Sequence, residues 1–364
     1  MKAFSARLAS NVTLQRSIEA APGRSLWAWL FSVPALTGLL ILVIVLSISV
    51  GAYSIGFEDW LSLFTARTDA DTENLRYLLL HIRLPRVALG VTAGAGLALA
   101  GAAMQGLFRN PLADPGLVGV SGGAMLFAVA GLALVHPVTA FITQTLGYAT
   151  ITILAFAGSL SATWLVYRIA TTGRSTQVAS ILLAGIAISA MAGALTGLLT
   201  YFSSEQSLRD ITFWTLGSLS GANWQIVSIT ALSVGLSAII IFSHTQGLNL
   251  FLLGEGEAAL AGVAVQKLKK QIIIAIALAV GACVAVCGMI GFIGLVMPHL
   301  ARMLAGADHR KLLIRSALLG SILLPLADTV ARTIVAPAEL PIGVLTALLG
   351  APFFLWLLVQ KRMA

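Results

Sequence analysis

From Val87 to Phe108 the chain runs for 22 residues without a charged side chain, reading VALGVTAGAGLALAGAAMQGLF. At about 1.5 Å rise per residue, a helix of this length crosses roughly 30 Å of hydrocarbon. Its small residues are phased. Gly90 and Gly94 stand four apart, and Gly96, Ala100 and Gly101 extend the smooth side. Such a face lets neighbouring helices approach the backbone closely, so the sequence predicts a helix inside a bundle. The flanks are polar: Arg83-Leu-Pro-Arg86 before it, and Arg109-Asn110-Pro111 and Asp114-Pro115-Gly116 after it.

Nine more apolar runs follow the same pattern, which is why only 10% of residues are charged and 58% are hydrophobic. A soluble domain carries about 25% charged residues. The fold class predicted is an all-α polytopic membrane protein with ten transmembrane helices. Net charge +8 does not point to nucleic acid, because the positive residues flank apolar runs and form no basic stripe with interleaved aromatics. Cys283 and Cys287 share one apolar run and read as packing residues. No metal site is expected. No GxxxxGK[ST] occurs, so any use of ATP belongs to another chain. No nucleophile–base pair occurs either, and the chain is not expected to be an enzyme.

In order, residues 1–29 form a basic N-terminal tail and 30–362 a single membrane domain. The first span is about 30–52. Residues 53–82 are polar, with a short interfacial helix expected around Trp60 to Phe64. The later spans fall at about 87–108, 117–135, 147–167, 178–202, 224–243, 272–290, 291–304, 312–334 and 342–359. An amphipathic segment fills 203–214. A polar insert, 244–271, is the longest loop on its side and holds two short helices, 250–253 and 255–265, broken at Gly254-Glu255-Gly256.

Ten spans put both termini on one side. On that side fall 16 of the 22 basic residues, while Arg67, Arg76, Arg83, Arg86, Arg209 and Arg332 lie on the other. The positive-inside rule makes the first side cytoplasmic. A gap-free shift of 187 residues lays Arg83 on Lys270, Gly94-Ala95 on Gly281-Ala282, Gly101 on Gly288 and Pro111 on Pro298. The two helices run in opposite directions, as in an inverted repeat relating spans two to five to spans seven to ten. The span centres are uncharged, which counts against an ion-coupled secondary transporter.

Several blocks together resemble the FecCD-type permeases: RLPR, RNPLADPGLVGVSGG, LGEGEAALAG, GFIGLVMPHLAR, ADHRKLL, LADTVAR and ELPIGVLTALLGAPFFLWLL. The likeness covers about residues 80–362. It implies a type II ABC importer permease in a bacterial inner membrane, for haem, iron-siderophore or cobalamin. The implied assembly is a permease homodimer, two ATPase subunits that hold ATP-Mg, and a periplasmic substrate-binding protein. The segment 208–224 is most similar to haem permeases, so haem is the expected cargo, with no cofactor bound by this chain.

The resemblance also implies residue roles. Arg83, Arg86 and Arg332 match arginines that dock the binding protein, and Asp328 stands one turn before Arg332. Asn110, Pro111 and Leu112, with Thr176 and Ser180 at the start of span five, match a cytoplasmic gate. Leu253, Gly254, Glu255, Gly256, Glu257, Ala258, Leu260 and Gly262 match the segment that couples to the ATPase. The residues alone also allow a lipid-anchoring role for each arginine, a plain turn at Pro111 and an ordinary solvated loop at 244–271. The histidines His81, His136, His244, His299 and His309, and Met104 and Met191, read as structural or packing residues rather than haem ligands.

Overall fold

The structure is a computed structural model that describes residues 31–51, 53, 55–56, 59, 70–133, 149–173 and 175–363. The N-terminal tail, the Trp60–Phe64 segment and His136 lie outside the described residues. Among the described residues the chain is almost wholly helical, apart from one two-stranded hairpin.

Helix α1 is Val33–Ser49, started by Ser32, whose hydroxyl accepts from the amide of Ala35. Helix α2, Ala70–Tyr77, passes through a π turn, Leu78–Arg83, into α3, Leu84–Phe108. The π turn falls just ahead of Pro85, which cannot donate to the α-helical ladder. The second span is therefore longer than expected, a continuous helix from Thr72 to Phe108. Arg83 and Arg86 lie within it, not beside it. Arg109 ends α3 in the left-handed conformation.

A 3₁₀ turn, Pro115–Val118, leads into α4, Val120–Ala133. Then come α5, Ala149–Ala170, and the hairpin of β1, Thr171–Thr172, and β2, Ser175–Thr176, which pair antiparallel. Next are α6, Val178–Tyr201; α7, Glu205–Leu216; and α8, Trp224–Ser243, capped by the Asn223 side chain. Two short helices follow, α9, Thr245–Phe251, and α10, Glu255–Leu260. The chain ends with α11, Val265–Cys287; α12, Ile293–Ala305; α13, His309–Ile334; and α14, Ile342–Met363.

Among the described residues six helices are long and apolar enough to cross a bilayer, and four shorter apolar stretches, α1, α4, α12 and most of α14, fall in the other expected spans. The expected insert loses its last seven residues to α11. Gly262, at φ +85°, ends the α10 turn region early, and Gln266, Lys269 and Lys270 belong to a membrane helix.

Helix α3 is the axis of the core, 78% buried over its most apolar stretch. A Cβ on Gly94 would stand 2.1 Å from the carbonyl oxygen of Gly320 in α13, and one on Gly101 would stand 1.8 Å from that of Gly294 in α12. Only glycine allows those crossings. Helix α6 is the opposite case, 22% buried, with Leu183, Ile186, Met191, Leu195 and Leu198 exposed; Leu348, Leu349, Leu355 and Trp356 do the same on α14.

The 187-residue shift expected between the two halves is not kept by the helices: it lays the end of α3, Phe108, eight residues beyond the end of α11, Cys287, and it pairs Pro111, in a turn, with Pro298, inside α12.

Candidate functional site

At one end of the bundle the three arginines converge. Arg86 is 8% exposed. Its Nε and Nη2 donate to Asp328 at 2.8–3.1 Å, and Nη1 and Nη2 donate to Glu339 at 2.7 and 2.9 Å. A guanidinium fork suits two carboxylates held this way. Arg83 donates to the carbonyls of Ile48, at 2.5 Å, Ser49 and Tyr53. It thereby closes the C-terminal end of α1, where the last carbonyls lack helical partners. Arg332 donates to the Ser47 carbonyl. Its Nε is 3.8 Å from Asp328, so the expected one-turn pair is loose and Arg86 is Asp328's main partner. All three arginines are buried and bonded within the chain. Glu339 is the exposed member, with 40% of its side chain open. Hydrogen bonds from Arg86 hold its carboxyl below the ordinary value, nearby positive charge adds to this, and partial burial opposes it.

At the other end, α3 closes on Arg109 and turns. Asn110 accepts from the amide of Leu112 at 2.9 Å, and Ala113 donates to the Asn110 carbonyl. Pro111 and Leu112 are half-buried. Arg109 sits 5.9 Å over the ring of Phe251, the last residue of α9, which links this turn to the insert. Thr176 is buried, and its amide donates to Gln266 at 2.9 Å. Ser180 is half-buried in the first turn of α6.

The insert holds two short helices with the expected break between them, but their bounds differ: the first is Thr245–Phe251 rather than 250–253, and the second stops at Leu260 rather than 265. Gly254, at φ +141°, makes the break. Ala258 faces inward at 0% exposure. Leu253 and Leu260 face outward at 72% and 85%, and Gly256, Glu257 and Gly262 are exposed with them. Glu255 is half-exposed and paired with Lys269 at 2.6 Å. Asp308 caps α13 and accepts from Asn249 of α9 at 2.7 Å. That bond, then the Arg310 amide, lowers its pKa.

A cavity of about 470 Å³ opens between α3, α4, α6 and α11. It is lined by Ser121, Met125, Ser189, Met289 and Phe292, with Asp114 at its edge. It lies where the irregular segments before α4 and α12 meet. Both contain a left-handed residue, Gly119 and Phe292. Burial raises the Asp114 pKa, and the Gly116 amide opposes this. No group of histidine, cysteine or acidic side chains among the described residues is arranged to hold a metal ion.

Comparison with known proteins decides the class. The FecCD transport family matches residues 39–360. The chain belongs to the FecCD transport family. It is 45% identical over 327 residues to the hemin transport system permease HmuU of Yersinia pestis, covering 89% of this chain and 95% of that one. It is 41% identical over 290 residues to the cobalamin import permease BtuC of Halobacterium salinarum, covering 80% and 75%. With the vitamin B12 import permease BtuC of Citrobacter koseri it shares 40% over 334 residues, covering 92% and 94%. A solved structure described as an inward-facing conformation of a metal-chelate type ABC transporter superposes with TM-score 0.78 at 32% identity, covering 90% and 98%. This FecCD chain is thus a multi-pass membrane permease and not an enzyme.

Two residues of this FecCD permease stood out only in three dimensions. In the sequence Glu339 is one acid beside an apolar run, and Lys269 one of the 16 basic residues on the cytoplasmic side. The signal for Lys269 was its position. It follows Leu268 and precedes Ile272 on what proves to be a buried helix face.

Proposed function

We propose that this permease carries haem across a bacterial inner membrane as the membrane subunit of an ATP-driven importer. The observation that carries the cargo assignment is the 45% identity with a hemin transport permease over nearly the whole chain. Cobalamin is the second reading, favoured by the relatives at 40–41%, and a ferric siderophore is the third. The working unit is a homodimer. The exposed apolar faces of α6 and α14 supply its contact and the wall of the path, and the cavity beside Met125 and Met289 widens that wall.

The Lys269 end faces the cytoplasm under the positive-inside count. There Leu253, Glu257 and Leu260 meet an ATPase subunit, which alone holds ATP-Mg, and Asn110 to Leu112 with Thr176 and Ser180 narrow the exit. The Arg86 end faces the periplasm and receives the binding protein. For Arg86 to dock it, a carboxylate of that protein takes the place of Glu339, the more open of the two carboxylates bonded to Arg86. ATP binding and hydrolysis on the partner shift the permease between two access states.

The test is uptake of haem, cobalamin and a ferric siderophore into proteoliposomes holding permease, ATPase and binding protein. Haem uptake that requires ATP is the expected result. Uptake without ATP rejects the importer reading, and uptake of cobalamin or siderophore without haem rejects the cargo.

A further inference from the structure

The Lys269 ammonium has no exposed surface. It donates at 2.6 Å to Glu255, the first residue of α10, and at 2.6 Å to the carbonyl of Thr176, the last residue of β2. Thr176 is held on its other sides as well: its amide donates to Gln266 at 2.9 Å, and its hydroxyl pairs with that of Thr171 at 2.9 Å. Two residues later α6 begins.

Burying an ammonium is costly unless it is paired and hydrogen-bonded. Nothing in the packing of α11 demands a charge here. Its neighbours on that face are Leu268, Ile272 and Ile273, and a methionine would fill the same volume. The lysine is therefore explained by its partners, which belong to two separate elements. One is the helix whose outer face, Leu253 and Leu260, is open. The other is the hairpin that leads into α6, the least buried within this chain of the six long apolar helices.

We propose that Lys269 is a positioning residue that transmits movement of the 255–260 helix to the 171–176 hairpin and so to α6. The ammonium acts as a rigid link with two hydrogen-bonded ends, and Gln266, one turn earlier on α11, steadies the Thr176 end. The inference rests on the reading of 244–271 as the ATPase-coupling segment. It adds the path by which a push on that segment reaches the start of α6.

The experiment uses the full complex with ATPase and binding protein in proteoliposomes. Two quantities are read: cargo taken up per ATP hydrolysed, and amide hydrogen exchange of peptides 171–181 and 254–263 with and without trapped nucleotide. In the unaltered complex both peptides are expected to change protection together, and a 254–263 change without one in 171–181 overturns the proposal. For Lys269→Met, the expected result is a roughly tenfold fall in uptake per ATP. The 254–263 response is expected to persist while that of 171–181 falls at least threefold. A normal uptake ratio with both peptides still responding overturns the proposal. Should Lys269→Met fail to assemble, Glu255→Ala decides by exchange alone, because it alters the solvent-facing partner: a lone 254–263 response supports the link and a joint response overturns it. Failure of the unaltered complex to take up cargo with ATP is a different outcome, because it rejects the importer reading.

Discussion

Arg86 and Lys269 mark opposite ends of the bundle, and each is a nearly inaccessible cation held by a carboxylate. Their partners differ. Asp328, opposite Arg86, is itself buried, with 3% of its side chain exposed. Glu255, opposite Lys269, is 41% open to solvent. Removing the cation strands a carboxylate in the first case and lets one rehydrate in the second. An uncompensated buried charge is among the costliest defects a fold can carry, whereas a half-exposed ion pair is screened. The Arg86–Asp328 pair is thus the costlier of the two to break, and the Lys269–Glu255 pair the cheaper.

The largest expected effect comes from Arg86→Met. It leaves Asp328 buried with only Arg332, at 3.8 Å, and costs on the order of 3 kcal/mol. In detergent this should appear as a steep loss of folded, monodisperse protein on mild heating. Arg86→Met combined with Asp328→Leu should recover most of that loss, because no charge is stranded; failure to recover would mean that the cluster stabilises through more than pairing.

Lys269→Met should cost about 1 kcal/mol in the same assay, since Glu255 regains water and only the Thr176 carbonyl loses its donor. Equal losses at the two ends would break the comparison.

Glu339 gives a pH test. Its folded pKa lies below the ordinary 4.5. Its contribution is therefore complete above about that pH and is lost as pH falls through the lowered folded value. Thermal stability attributable to Glu339, read as the difference from Glu339→Gln, should be flat from pH 8 to 5 and shrink below 4. A difference that grows on acidification would contradict the assigned direction.

The smallest expected effect is that of Glu339→Gln itself at neutral pH, about 0.5 kcal/mol, because solvent screens a carboxylate that is 40% exposed. The same variant should tighten binding-protein docking by freeing one face of Arg86. Weaker docking would mean that Glu339 shapes the surface directly.

The long helices were legible because hydrocarbon imposes a length and excludes charge. Span six, at 224–243, coincides with α8 to the residue. The break at Gly254 was legible because a helix tolerates Gly-Glu-Gly poorly. The state of the arginines was not. Arg86 finds its partners 242 and 253 residues further along the chain, and no local pattern reports such a meeting. Span two starts earlier than its hydropathy suggests, because backbone carbonyls for Arg83 and carboxylates for Arg86 let both sit inside a helix that a residue-by-residue scale would end. Lys269, at the end of a polar insert, carries no local sign of burial for the same reason. Its burial is set by Thr176, from the other half of the chain.

The two glycine crossings on α3 bear on how such a molecule can work. Gly94 rests on Gly320 and Gly101 on Gly294. They are seven residues apart, about 10 Å along the helix axis. Each point ties α3 to a different helix, Gly94 to α13 and Gly101 to α12, and at either one a closer approach drives a carbonyl into a Cα. Helices α3, α12 and α13 are therefore the closely locked part of the bundle, and α6, 22% buried over its most apolar stretch, is held by the least of this chain's own packing among the six long apolar helices.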